Sequence, residues 1–350
     1  MSLKEHYQST LLGCAIGDAL GMPVEGMKPQ QIKKYVGWIT DFIDPVIVRD
    51  PQGNALTQDE FGKLKYWNKD FQRGEYTDDT ILSVALAESL IACRGFNLED
   101  IARRQVAEYT KRLQPDGTVF GGFGKTTIDG FKNLLTGKSP YESGVIGGPG
   151  NAPAMKMAPL GLWMHATMTI ERGLHFAHLV GNITHRDPRS LASGVVQAYA
   201  ISSLLEGIDR SSFLRKIPSL CTSVEQETPA DYPLADRGTL VECLEWISEN
   251  RDASADEAHR HLKSNSLVFC SYPFALFMFQ KYWDEPVKGL IETVNYGGDC
   301  DTTGAMFGAL TGARHGLCWP QHWVENVQDS ARLQELGEQL YNFNASSPRK

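Results

Sequence analysis

Two short stretches of the chain concentrate carboxylates beside hydroxyls: 76-YTDDT-80 and 297-GGDCDTTG-304. In the first, Thr77, Asp78 and Asp79 stand at the mouth of an apolar, helix-periodic segment. In the second, Asp299 and Asp301 alternate around Cys300, Thr302 and Thr303 follow, and two glycines free the backbone ahead of them. A single cluster of this kind has an ordinary explanation. Thr or Asp at an N-cap accepts a bond from a free backbone N–H, and acids in the first turn suit the helix dipole. Two helix starts that each carry two carboxylates and a threonine fit capping less well. Four carboxylates drawn together repel unless cations neutralise them, and oxygen-only donors favour hard ions such as Mg²⁺, Mn²⁺ or Ca²⁺. These residue types in this pattern point to a divalent-metal site, with capping as the alternative.

The elements that must position the clusters are helices. Over 78–95, Ile81, Leu82, Ala85, Leu86, Ser89 and Leu90 recur at three-to-four spacing, and Gly95 stands where a C-terminal cap belongs. Similar patterns predict helices near 98–113, 190–206, 239–250, 255–263 and 329–343. Strand-like alternation is scarce and no series of βαβ units is visible. The fold class is therefore all-α, and without a repeat or a dividing linker the expectation is one domain over residues 1–350. Gly13, Gly17 and Gly21 fall four apart, as do Gly304, Gly308, Gly312 and Gly316. Each glycine inside a helix costs about 1 kcal/mol relative to Ala, and close approach of another backbone along the bare face compensates. Irregular excursions over 37–76, 114–126 and 136–154 are long enough to be functional.

Composition removes several function classes. The 350 residues are 42% hydrophobic, enough for a substantial core, and the net charge of -8 has no clustered Lys or Arg to serve nucleic-acid binding. There is no apolar run of about 18 residues, and MSLKEHYQST lacks the basic-then-apolar order of a signal peptide, so a cytoplasmic protein with no membrane partner is expected. Seven dispersed cysteines with no C-x-x-C pair predict reduced thiols, without a zinc knuckle or disulfide framework.

Six landmarks occur in order along most of the chain: 13-GCAIGDALGMPVEG-26, 77-TDDT-80, 122-GFGKTT-127, 147-GGPGNAPAMKMAPLG-161, 184-THRDP-188 and 295-NYGGDCDTTGAMFGALTGA-313. The ordered set resembles the ADP-ribosylglycohydrolase family. The resemblance implies a single orthogonal helical bundle with a dinuclear metal cleft holding two Mg²⁺ or Mn²⁺ ions. Carried over, Thr77, Asp78 and Asp79 would bind one ion and Asp299, Asp301 and Thr302 the other, with Asp301 as the bridge. Glu25 would be the catalytic carboxylate beside the substrate ribose, an ordinary loop carboxylate being the alternative. Gly124, Lys125 and Thr126 would line the distal ribose and phosphate, Gly147, Gly148, Gly150 and Asn151 would wrap the pyrophosphate, and His185 would face the substrate. His175 and His178 are expected on a helix surface or in the core.

Three residues depart from the family pattern: Lys156 where many members have Arg, Pro149 where some have an aromatic residue, and Cys300 where Thr is usual. Cys300, between two ligands, is expected to point away from them. The implied activity is metal-dependent hydrolysis of the glycosidic bond between ADP-ribose and an acceptor, on an ADP-ribosylated protein or an ADP-ribose-containing small molecule. The alternatives are an N-glycosidase acting on a free nucleoside or nucleotide, and a non-catalytic ADP-ribose-binding protein.

Overall fold

Ser2 and Glu5 close a reciprocal capping box at the start of the first helix, satisfying two backbone donors that would otherwise lack partners. From there the computed structural model, which describes residues 2–46, 52, 69–167, 170–226 and 239–343, runs as a succession of helices. In order they are α1 (Leu3–Gly21), α2 (Pro29–Tyr35), α3 (Asp78–Ala92), α4 (Leu98–Lys111), α5 (Lys125–Leu135), α6 (Ala152–Met155), α7 (Ala158–Thr167) and α8 (Ile170–Asn182). There follow α9 (Pro188–Leu205), α10 (Arg210–Gln226), α11 (Leu240–Glu249), α12 (Ala255–Leu262), α13 (Val268–Lys281), α14 (Pro286–Asn295), α15 (Cys300–His315), α16 (Gln321–Asn326) and α17 (Ser330–Tyr341). Among the described residues extended pairing is limited to isolated bridges such as Val145 with His185 and Gly150 with Leu267. The all-α expectation is met.

The helices predicted from periodicity appear within three residues of their expected ends. All six apolar-face residues of α3 are buried. Its left-handed cap, however, is Arg94 (φ 49°), and the Gly95 N–H returns to Leu90 O at 3.0 Å. Periodicity could not reveal α13, because residues 268–280 are buried on every side and a helix with no solvent face has no apolar stripe. The excursion over 37–76 falls partly outside the described residues, and its described parts, 37–46 and 69–76, contain no helix.

The two glycine stripes face each other. A Cβ built on Gly17 would stand 2.0 Å from Gly304 O, one on Gly308 1.9 Å from Gly13 O, and one on Gly312 2.2 Å from Ser9 O. The partner atoms are helix backbone, which cannot rotate aside. Gly316 lies past the end of α15, where its φ of 69° makes it the cap. Gly21 sits where a Cβ would strike Cys300 and Asp301 backbone at 2.3 Å, so the stripe ends at the second acidic cluster.

Gly308→Ala should therefore cost about 3 kcal/mol or more, at or beyond the upper end for overpacking, because only the helices themselves can move. Chemical denaturation measures this, and a loss below about 1 kcal/mol would show that the contact is looser than the structure indicates.

Candidate active site

The N-terminus of α3 is capped from another helix. Asp18, buried in α1, accepts hydrogen bonds from Thr77 N (2.9 and 3.1 Å), Thr80 N (3.1 Å) and Thr80 Oγ1 (2.7 Å). Thr77 is the N-cap residue but its side chain makes no capping bond. Capping thus leaves the side chains of Thr77, Asp78 and Asp79 free for other work. Thr77 Oγ1 donates to Asp79 Oδ2 at 3.0 Å, and Thr302 Oγ1 lies 3.3 Å from the same oxygen, joining the two acidic clusters. Asp79 Oδ1 is buried with no hydrogen-bond partner among the described residues. A buried carboxylate oxygen without a donor is costly, and a cation would satisfy it.

The second cluster is set by Gly297 and Gly298, both left-handed (φ 65° and 70°). Their backbone pairs with the loop after α1, through Gly26 N to Gly298 O (2.7 Å) and Gly298 N to Met27 O (2.8 Å). That pairing holds Glu25 beside the start of α15. Asp299 is the N-cap residue of α15 yet does not cap it with its side chain. Its carboxylate accepts instead from Thr302 Oγ1 (3.2 Å) and from the Asn151 amide, which also donates to Ser271 Oγ (2.9 Å). Cys300 points the other way, its thiol 3.3 Å from Gly21 O, as expected.

One carboxylate oxygen each from Asp18, Asp79 and Asp301 lie within 4.8 Å of one another, and so do oxygens from Glu25, Asp299 and Asp301. Asp301 belongs to both groups, the position expected of a bridge. Asp18, already bonded to three donors, braces the cluster. Sequence reasoning passed over it, although it is the only charged residue in 9-STLLGCAIGDALGMPV-24.

Above these oxygens opens a cavity of about 340 Å³. Asp78, Asp79, Asp299, Asp301 and Thr302 form its floor; Glu25, Gly124, Lys125, Thr126, Gly150, Asn151 and His185 stand in its walls. Thr77 is buried outside the lining. Gly147 and Gly148 do not line it either; a Cβ on Gly148 would collide with Thr126 at 2.6 Å, so this glycine lets two loops touch. Pro149, one of the departures from the family pattern, also lines the cavity, as do Ser266 and Leu267, which carried no signal in the sequence. His175 is exposed and His178 half-buried on α8, away from the cavity as expected.

Residues 1–349 match the ADP-ribosylglycohydrolase family. The chain belongs to that family. Its members are glycosidases, and this chain is a hydrolase of the same kind. Among its relatives, an uncharacterised Archaeoglobus fulgidus protein is 27% identical over 97% of both chains. The chicken ADP-ribosylhydrolase ARH3 is 24% identical, covering 96% of this chain and 93% of its own. A solved structure titled ADP-ribosylglycohydrolase-related protein complex superposes with a TM-score of 0.67 at 24% identity, covering 98% of this chain and 99% of its own, and shares the fold.

In this glycohydrolase the site carries a strong excess of negative charge. Burial lifts the carboxyls of Asp78, Asp79 and Asp301 well above the usual range, and neighbouring acids push the same way. Burial also raises Asp299, and it brings Asp18 to about 6 against the hydrogen bonds from Thr80 and Thr77. Lys156 is a buried cation near this floor. Burial lowers its ammonium to about 7, while the charge of Asp78 opposes the fall. Burial and then the charge of Lys156 bring His185 down to about 3, so its ring is neutral.

Each of the five carboxyls holds its proton more tightly in the folded chain than in the unfolded one. Without cations their contribution favours folding at low pH and declines as pH rises from about 4 through the raised folded values. A divalent ion binds the ionised forms and must displace those protons. The gain in melting temperature from added Mg²⁺ or Mn²⁺ should therefore grow between about pH 4.5 and about pH 7. Equal gains at the two pH values would detach the cation effect from this cluster.

Proposed function

We propose that the chain is a single catalytic domain, spanning residues 1–350, that hydrolyses the glycosidic bond between ADP-ribose and an acceptor, with two Mg²⁺ or Mn²⁺ ions held at the acidic floor. The observation that carries this reading is the convergence of Asp79, Asp299 and Asp301 on one cavity, with Asp79 Oδ1 buried and unpartnered. All the donors are hard oxygens, as such ions require. Asp78, Asp79 and Thr77 would hold one ion and Asp299, Asp301 and Thr302 the other, Thr77 and Thr302 also orienting the Asp79 carboxylate. When bound, the ions supply Lewis acidity toward oxygen at the ribose.

The protein's own groups do the rest. Cleavage develops positive charge on the ribose ring, which Glu25, the cavity carboxylate not committed to an ion, is placed to stabilise. Glu25, at the edge of the floor, takes a proton from the attacking water or orients the ribose. The first N–H groups of α5 belong to Lys125, Thr126 and Thr127, which line the cavity; they have no helical acceptor and carry the positive end of the helix dipole, which suits a diphosphate. Gly150 and Asn151 enclose the same anion from the opposite wall. The partner is an ADP-ribosylated protein or an ADP-ribose-bearing small molecule. The chain's surplus of acids disfavours nucleic acid, and no helix among the described residues is long and apolar enough to cross a membrane. Seven free cysteines suit a reducing cytoplasm.

A release assay over arginine-, serine- and nucleotide-linked ADP-ribose, with adenosine as a further substrate, tests the reading. Asp79→Ala and Asp301→Ala should abolish turnover with the fold intact. Glu25→Gln should lower kcat by about 10²–10⁴-fold with little change in ADP-ribose affinity. Full turnover in excess chelator, or by Glu25→Gln within a few-fold of the parent, would remove the ions or Glu25 from the chemistry. Cleavage of adenosine alone would make the protein a nucleosidase.

A further inference from the structure

A line of polar groups runs from the interior to the cavity wall, apart from the acidic floor. Lys156, fully buried at the end of α6, places Nζ 3.4 Å from Gln105 Oε1 and 3.2 Å from Thr184 Oγ1. Thr184 Oγ1 in turn lies 2.9 Å from His185 Nδ1. The other ring nitrogen, Nε2, has no hydrogen-bond partner among the described residues. It stands against Gly150, where an added Cβ would come within 2.6 Å of it, and the ring borders the cavity. Backbone bonds from Val145 N to Thr184 O (3.0 Å) and from Arg186 N to Val145 O (2.9 Å) lock this segment to the loop that leads to Gly150.

The donors and acceptors along this line favour one ordering. Below about pH 7 Lys156 is an ammonium, with hydrogens and no lone pair, so its contact uses a lone pair of the Thr184 hydroxyl. The single hydroxyl proton is then free for His185 Nδ1. A neutral imidazole that accepts at Nδ1 carries its proton at Nε2. The reverse tautomer would give Thr184 two donors and leave its own proton without an acceptor, and it would turn a bare Nε2 lone pair toward the cavity.

We propose that Lys156 and Thr184 are positioning residues that lock His185 in the Nε2–H tautomer, making it a fixed neutral donor to an anionic oxygen of the bound ligand. The tautomer follows from the apo geometry alone; naming the anion as the diphosphate of ADP-ribose rests on the proposed function. Burial keeps the ring from becoming a cation, and below about pH 7, where Lys156 remains an ammonium, the donor stays the same. Gly150 belongs to the same device, since a side chain there would cover Nε2.

The test is imidazole ¹⁵N–¹H NMR on the ligand-free protein at about pH 6, with His185 assigned by its loss in His185→Gln. The expected result is a neutral Nε2–H ring in the parent, in Lys156→Arg and in Thr184→Ser, and loss of that fixed tautomer in Thr184→Val. In parallel, Thr184→Val should weaken ADP-ribose binding about tenfold, the value of one hydrogen bond to a charged group, and act on KM more than on kcat, with Thr184→Ser restoring it. A parent ring protonated at Nδ1, or one that is doubly protonated, overturns the proposal. So does a Thr184→Val protein with unchanged tautomer and affinity. A parent with the Nε2–H ring that does not bind ADP-ribose leaves the relay standing and removes the ligand assignment.

Discussion

The backbone-to-backbone contact of α1 with α15 is the constraint on which the site depends. With glycine at 13, 17, 304, 308 and 312 the two helices approach until carbonyl oxygens occupy the space of side chains. That approach brings Asp18 of α1 and Asp301 of α15 to the same level, and Asp18 then reaches across to the first turn of α3. One carboxylate thus ties α1 to α3 within 4.8 Å of an oxygen from α15. A side chain on either stripe would part the helices and carry the oxygens of the floor apart with them.

Electrostatics at that meeting point oppose folding. Buried acids at close range penalise their own ionisation, and removing a charge from water costs several kcal/mol unless it is compensated. The extensive helical core supplies the rigidity that holds them together anyway. The buried Arg189–Asp187 pair, by contrast, is ion-paired at the start of α9, with backbone N–H groups also donating to Asp187 and the guanidinium over the ring of Phe269. Compensation at the floor is left open toward the cavity, where its grouped carboxylate oxygens could hold a metal ion.

Much of this was legible in the chain because several of its signals are local. Thr77–Asp79 and Asp299–Thr302 advertise themselves by clustering beside glycines at helix starts, and the four-residue glycine spacing announces close packing. Asp18 was hidden because its role is long-range: its partners lie 59 and 62 residues away, and alone it is one acid in an apolar helix. The glycine-rich turn at 147–150 was only half informative. Glycine serves close approach to protein as readily as to phosphate, and Gly148 does the former while Gly150 borders the cavity. The direction of the Lys156–Thr184–His185 line was likewise beyond spacing, since it depends on which side chains lose contact with water.

The pairing of α1 with α15 also sets when the enzyme can exist. During synthesis α1 leaves the ribosome well before α15, and its glycine face waits for that partner to emerge. At about 5–20 residues per second, the roughly 280 residues between Asp18 and Asp301 take on the order of 15–60 s to make. A nascent or prematurely terminated chain lacks Asp299, Asp301 and Thr302 and so has no floor for the cavity. Hydrolytic capacity therefore waits for α15, however early the rest of the bundle is made.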